Sequence, residues 1–130
     1  MVATEVGVPL ADVEMIAMAA QMLASLGLEK QVTLEINSLG DTESRAAYRT
    51  ALVAYFNDHR ANLSEDSKTR LEKNPLRILD SKDENDRKLV AGAPQSRSYF
   101  TAQAADFAGV VESSLKALHV PFQVNMRLVR

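Results

Sequence analysis

The chain has 130 residues, of which 46% are hydrophobic and 25% charged, a balance typical of one globular domain. It has no cysteine, which excludes disulfide frameworks, thiolate zinc sites and cysteine nucleophiles, and its net charge of −2 excludes a general electrostatic attraction to nucleic acid. No apolar run reaches the ~20 residues that a membrane-spanning helix needs, and the first residues lack a signal-peptide pattern, so we expect a cytoplasmic protein without membrane contact.

The first half of the chain predicts a helix, a strand and a second helix. From Pro9 to Leu28, apolar residues recur at steps of three and four, which is the spacing of an amphipathic helix. The stretch from Gln31 to Ile36 alternates apolar and polar residues, which predicts a strand. A second helix is expected from Thr42 to His59, with Asp41 as its N-cap.

The second half begins with short polar helices. Ser64 is suited to cap a helix over residues 65–73, which the following Asn-Pro pair must end because proline disfavours helix in the residue before it. Another short helix is expected to begin at Ser81 or Asp83. Helical spacing returns over residues 101–118 and predicts a longer helix there.

The last stretch, from Phe122 to Val129, alternates apolar and polar residues and predicts a strand with one buried face. The predicted fold class is therefore α+β, mostly helical, with strands at about 31–36 and 122–129. Two isolated strands make a marginal sheet. Either they pair at the edge of a small α+β unit, or they belong to a larger sheet, which the final strand running up to Arg130 favours.

The two histidines, His59 and His119, each lie near a predicted helix C-terminus, where the helix dipole favours a cation. No serine or second histidine stands at a spacing that suggests a catalytic triad or a metal cluster. We therefore interpret both as helix-end residues and predict no metal site.

The segment from Ser64 to Lys88 interleaves acidic and basic residues. One interpretation is a set of solvated helix faces with pairs four residues apart. The other is a surface facing RNA, on which basic side chains contact phosphates. The candidates for that contact are Lys68, Arg70, Lys73, Arg77, Arg87 and Lys88. The equal acidic content argues against strong binding.

Arg127 is predicted to share the polar face of the last strand with Gln123 and Asn125. If that face meets solvent, the strand is an ordinary amphipathic strand. If it lines a cleft, the row of donors suits a carboxylate or a phosphate.

Several strings of residues go further than these patterns. They are LEINSLG at 34–40, AYRTALVAYF at 47–56, NPLRILDSK at 74–82 and VNMRLVR at 124–130. In order and approximate spacing these strings resemble bacterial histidyl-tRNA synthetase, a class II aminoacyl-tRNA synthetase. PLADVEMIAMA near the start is similar to the helix that follows motif 2 in that family.

The resemblance implies that the chain is an internal piece of a larger enzyme, from the end of motif 2 to the start of the histidine-recognition motif. Residues 1–40 would be a piece of the catalytic core, residues 41–100 a helical insertion, and residues 101–130 a helix and strand returning to the core. The two strands would belong to an antiparallel class II sheet.

The resemblance also implies a function: activation of histidine with ATP and Mg²⁺, then transfer to tRNA, whose acceptor arm the insertion would contact. Arg130 corresponds to the arginine of the histidine-recognition motif, which would stabilise charge on the α-phosphate. Glu5 would hold the α-amino group of the substrate. The piece alone is expected to bind no cofactor and to be inactive, and exposed strand edges favour a homodimer.

Two other hypotheses remain open on the sequence. One is a non-catalytic regulatory paralogue of the synthetase, although that class generally lacks the helical insertion that makes up much of this chain. The other is a free-standing RNA-binding module with the fold of the insertion.

Overall fold

The computed structural model describes residues 9–129, which form two compact units. One unit consists of residues 9–38 and 102–125, and we call it the split unit because two segments of the chain build it. The other, the central unit, consists of Leu39–Thr101 and residues 126–129.

Five α-helices and two strands lie in the described residues: α1 (Pro9–Ser25), β1 (Glu35–Ile36), α2 (Thr42–Asp58), α3 (Glu65–Lys73), α4 (Glu84–Ala91), α5 (Ala102–Ala117) and β2 (Gln123–Val124). Single 3₁₀ turns at Arg60–Asn62 and Pro75–Ile78 connect the helices of the central unit, and a third at Ser96–Tyr99 follows α4. Within residues 9–129, no helix combines the length and apolar character needed to span a membrane. The five predicted helices are confirmed to within a few residues.

The split unit is built on the packing of α1 against α5. Val13 is the buried residue of α1, and α5 contributes Ala104, Ala108 and Leu115. Ala104 and Ala108 are one helical turn apart and so lie on the same face of α5. This packing rests on few large side chains.

The sheet of the split unit corrects the antiparallel prediction, because β1 and β2 run parallel. Glu35 lies opposite Gln123 and Ile36 opposite Val124. The N–H of Gln123 donates to the carbonyl of Leu34 at 2.9 Å. A connection that contains four helices is long enough to return the chain to the end of the sheet where β1 starts, which a parallel pair requires.

The strands are also shorter than predicted, with two residues each instead of spans over 31–36 and 122–129. Residue 31 lies in a turn, and residues 126–127 form another immediately after β2. The alternation after Phe122 does not produce a buried face, since Val124 is 37% exposed and Leu128 is 43% exposed. Ladder hydrogen bonds end where the chain turns, whatever the polarity pattern.

The central unit encloses a hydrophobic core. From α2 come Tyr48, Leu52 and Phe56, and the helices and turns that follow add four more buried apolar side chains: Leu63, Leu71, Ile78 and Leu79. Val129 packs against the same cluster. Because Leu52, Phe56 and Ile78 have no exposed surface, this core excludes water.

Capping side chains begin the three helices of the central unit. Asp41 accepts from the N–H of Ser44 at 2.8 Å and caps α2, and Ser64 accepts from the N–H of Ser67 at 3.2 Å and caps α3. Of the two candidates for α4, Asp83 is the cap. Each cap satisfies N–H groups that a helix start leaves without partners. These caps confirm the predicted starts.

Candidate nucleic-acid interface

The charged helices α3 and α4 are joined by a buried carboxylate, Asp86, which has no exposed surface. Its Oδ1 accepts from the N–H of Ser64 at 2.9 Å. Its Oδ2 accepts from the hydroxyls of Ser64 at 2.7 Å, Ser67 at 2.6 Å and Ser81 at 2.7 Å. One side chain of α4 therefore holds the start of α3 and the loop before α4.

Two opposing effects set the pKa of Asp86. Burial raises it, because a charge is poorly solvated inside a protein, but hydrogen bonds from the backbone of Ser64 and from the hydroxyls of Ser67, Ser81 and Ser64 favour the ionised form. The hydrogen bonds together outweigh burial, and the pKa lies below its usual range. Asp86 is therefore ionised at neutral pH and acts as an acceptor for all four donors.

Two of the six predicted RNA-contact residues are held by ion pairs on α3. The ammonium of Lys68 lies 2.6 Å from the Glu65 carboxylate, and its hydrogen bond lowers the pKa of that carboxyl. Arg70 pairs with Asp66 and also donates to the carbonyl of Arg77 at 3.4 Å. These neighbouring pairs reduce the net positive charge that α3 presents.

The other four candidates, Lys73, Arg77, Arg87 and Lys88, are exposed. Among residues 9–129, none of their side chains has a carboxylate within 4.0 Å. The acidic residues of the segment therefore do not neutralise its cations evenly: the pairs are concentrated on α3, and α4 carries two cations that have no carboxylate partner among residues 9–129.

A groove of about 480 Å³ with mixed polar and apolar walls lies beside the start of α4. Asn62, Asn85 and Lys88 line it together with the capping residues Ser64 and Asp83. Ala61, Leu63 and Leu89 supply the apolar part of its wall. Within the described part of the chain, the side-chain amides of Asn62 and Asn85 have no hydrogen-bond partner. The groove thus combines a cation with free donors and acceptors.

The remaining predicted site residues are not brought together by the described structure. Glu5 and Arg130 lie outside the described residues. Arg127 is exposed in the turn after β2, so it does not extend a row with Gln123 and Asn125. Instead, Asn125 donates its side-chain amide to the Glu35 carboxylate at 2.8 Å.

The histidines occupy helix ends, as predicted. His59 is the C-cap of α2, and its Nδ1 lies 2.8 Å from the carbonyl oxygen of Tyr55. His119 follows α5 with a positive φ of 57°. Among residues 9–129, no group of three or more histidine, aspartate or glutamate side chains is arranged to hold a metal ion.

Sequence reasoning missed Asp86, because it lies in a run of charged residues. A signal was present: Asp86 precedes Leu89 by three residues and Val90 by four, so the three share one helix face. Leu89 and Val90 are both partly buried. An acidic residue on an apolar stripe, with Ser81 five residues before it, indicates a buried hydrogen-bond acceptor.

Comparison with known proteins gives close relatives over nearly the whole chain, although no family model matches. The chain is 55% identical over 123 residues to histidine–tRNA ligase of Rhodospirillum rubrum and 49% identical over 122 residues to that of Wolbachia pipientis. Each match covers 94% of this chain. The chain spans only about 29% of the length of the first of these curated relatives and 30% of the second.

A solved structure supports the same likeness. The apo histidyl-tRNA synthetase of S. aureus matches with a TM-score of 0.70 and 30% sequence identity. The match covers 94% of this chain and 28% of that protein. Sequence and fold therefore agree on the same relatives, and neither a regulatory paralogue nor a free-standing RNA-binding module is favoured.

Proposed function

Because the chain is homologous to a segment of histidyl-tRNA synthetase, we propose that it is part of a longer polypeptide that activates histidine with ATP and transfers it to tRNA. The observation that carries this proposal is the 55% identity to a histidine–tRNA ligase over 94% of the chain. Identity at this level over 123 residues extends well beyond a short motif.

Within that polypeptide, we propose that residues 41–100 form an insertion that contacts the tRNA acceptor arm, and that residues 1–40 and 101–130 belong to the catalytic core. The separate hydrophobic core of the central unit supports an insertion that folds around its own side chains. The exposed cations of α4 support a surface for a polyanion.

For the chemistry, we propose that Arg130 stabilises the charge that develops on the α-phosphate when the histidine carboxylate attacks ATP. Glu5 would hold the substrate's α-amino group by charge-assisted hydrogen bonds, and Arg127 would bind an anionic group of the substrate. The support for the roles of Arg130 and Glu5 is the resemblance of the residues around them to the family, and the support for Arg127 is its guanidinium, whose donors suit a carboxylate or a phosphate.

The described residues do not by themselves fit ATP and Mg²⁺. Within residues 9–129 no acidic cluster suited to a metal ion is found, and Arg127 is exposed in a turn. We therefore propose that the nucleotide and metal site lies in the longer polypeptide.

The proposal is tested by expressing the full reading frame that contains this chain. We expect histidine-dependent exchange of pyrophosphate into ATP, followed by charging of tRNA with histidine, and we expect the isolated 130-residue chain to show neither. The Arg130→Ala variant of the full polypeptide, measured alongside, should lose exchange activity. The proposal is overturned if the full polypeptide folds but its pyrophosphate exchange depends on another amino acid, or if it shows no exchange with any amino acid.

We also propose that the polypeptide is a homodimer. The short strands of the split unit leave backbone groups along the sheet without strand partners among residues 9–129, and unpaired strand edges favour association. Sedimentation equilibrium at several concentrations tests this, and a strict monomer at high concentration would contradict it.

A further inference from the structure

We propose that the RNA-backbone contact of the central unit is made by the groove at the start of α4, with Lys88 as its phosphate-binding cation and Asn62 and Asn85 as its polar contacts, and not by the paired cations of α3, Lys68 and Arg70. This inference rests on the proposed function and names the part of the surface that meets the tRNA. The ligand chemistry is a ribose-phosphate segment of RNA.

Two of the three cations of α3 are already paired. Lys68 and Arg70 each have a carboxylate partner on the same helix, at positions three and four residues away. Their side chains are 29% and 28% exposed, while the partner carboxylates are much more exposed. An approaching phosphate would meet the carboxylates and would have to displace an existing pair. The favourable release of counterions from RNA would then be largely cancelled.

Lys88 is exposed on α4. It lies two residues after the buried Asp86, about 200° around the helix, so it points away from the interior. No carboxylate among residues 9–129 lies within 4.0 Å of its ammonium group, although Glu84 is one helical turn away on the same face. Its charge is therefore available for a phosphate.

Two asparagine side chains in the wall of the groove suit a ribose-phosphate segment. The amides of Asn62 and Asn85 each offer donors and an acceptor, which is what ribose hydroxyls and phosphate oxygens require. Asp83 is the acidic residue of the groove, but its Oδ1 accepts from the N–H groups of Asn85 at 2.9 Å and Asp86 at 3.2 Å. The positive end of α4 therefore offsets part of its charge.

Two walls of the groove are held in place by hydrogen bonds. Ser64 forms one wall, and both its N–H and its hydroxyl donate to the buried carboxylate of Asp86. Asp83 forms another wall and is fixed by capping α4. The walls at Ser64 and Asp83 are thus ordered by hydrogen bonds that do not involve the side chains of Asn62, Asn85 or Lys88, so these three side chains remain available to RNA.

The test compares single charge removals in the 130-residue chain, with labelled tRNA as the probe and circular dichroism as the folding control. Lys88→Ala is expected to weaken binding by about threefold to tenfold and to lower the slope of log affinity against log salt by about 0.7–0.9, the value for one phosphate contact. Lys68→Ala removes the same charge from α3 and is the matched control. It should change affinity less than about twofold and leave the slope unchanged.

Asn85→Ala adds a readout independent of charge: affinity should fall while the salt slope remains that of the wild type. A larger loss for Lys68→Ala than for Lys88→Ala would move the contact to α3 and overturn the inference, while leaving the proposed function intact. A wild-type chain that binds no tRNA at low salt would also overturn it. The proposed function would still be judged by exchange and charging in the full polypeptide.

Discussion

The two units of the molecule differ in how completely they bury their apolar side chains. In the central unit, Leu52, Phe56 and Ile78 have no exposed surface. In the split unit, α1 buries Val13 alone, and its remaining large apolar residues include Met18 at 53% exposure and Met22 at 60%. Among residues 9–129, the exposed large apolar side chains belong to the split unit with the exception of Leu128.

The difference indicates which of the two units is more resistant to unfolding. The central unit has a closed core and a buried polar network, both of which are lost together when the unit unfolds. The split unit has one helix pair and strands of two residues, and such short pairs are marginal in water. We expect the central unit to unfold cooperatively at a higher denaturant concentration than the split unit.

The largest expected effect is from Leu52→Ala, which removes a fully buried side chain from the central unit. It should lower the free energy of unfolding of that unit by about 2–5 kcal/mol, because the loss of apolar burial and the cavity that remains both destabilise the folded state. All three tyrosines of the chain lie in the central unit, so tyrosine fluorescence during a urea titration reports this unit.

The matched control is Met22→Ala in the split unit, which should leave the tyrosine transition within about 0.5 kcal/mol of the wild type. Equal shifts for the two variants would contradict the comparison between a closed core and an exposed helix face.

The next largest effect is expected from Asp86→Ala. The substitution leaves the hydroxyls of Ser64, Ser67 and Ser81 and the N–H of Ser64 without their acceptor in a buried site, which should lower the free energy of unfolding by about 3 kcal/mol. The same tyrosine-monitored titration measures it. Glu84→Ala removes an exposed charge from the same helix and is the control. If both variants unfold at the same urea concentration, the network contributes nothing.

The helices could be predicted from the sequence because their signals are local. Asp41, Ser64 and Asp83 precede helical runs and cap them by accepting hydrogen bonds from N–H groups two or three residues away. A short stretch of sequence is therefore enough to predict each cap. The strands could not be predicted in the same way. Their length and direction depend on which backbone groups meet across the sheet, and here the partners are separated by almost ninety residues, as Glu35 and Gln123 illustrate.

The candidate interface was predicted only in part, for a related reason. Residue type identified six cations, but pairing distinguishes Lys68 and Arg70 from Lys88, and pairing depends on side-chain geometry. The role of Asp86 depends on Ser64 and Ser67, which lie 22 and 19 residues away. A hydrogen-bond partner that far along the chain leaves little trace in a local pattern.

A smaller effect is expected from acid. The pKa of Asp86 is lower in the folded protein than its unfolded value of about 3.9, so the ionised carboxylate stabilises the central unit at pH values above that point. The stabilisation is lost as the pH falls from about 5 toward the folded pKa. The hydrogen bond from the Thr101 hydroxyl, with those from Ser44, lowers the pKa of Asp41 and adds in the same direction.

Tyrosine-monitored urea midpoints should therefore fall between about pH 5 and pH 3, and Asp86→Asn, which cannot ionise, should show a shallower fall. The slope that remains in this variant reports the other carboxylates, Asp41 included. Parallel curves for the wild type and the variant would show that Asp86 is not the titrating group.

The smallest effect is expected in the split unit, at the end of α5. His119 adopts a φ of 57°, a conformation that costs a residue with a side chain about 1–2 kcal/mol relative to its preferred regions. The conformation is imposed by the helix end, where the N–H of Val120 donates to the carbonyl of Leu115 and that of His119 to Lys116, both at 3.0 Å. His119→Gly should raise the stability of the split unit by about 0.5–1 kcal/mol, since the greater freedom of glycine in the unfolded chain offsets part of the gain.

The matched variant is Gly27→Ala at the end of α1, where φ is 71° and an added Cβ meets nothing within 4 Å. It carries the same backbone cost without a clash, so it should lower the stability of the split unit by about 1 kcal/mol. Amide hydrogen exchange in α1 and α5 should slow in His119→Gly and quicken in Gly27→Ala, while the tyrosine transition of the central unit stays in place. Shifts of the same sign in the two variants would show that the backbone conformation at these helix ends does not limit the stability of the split unit.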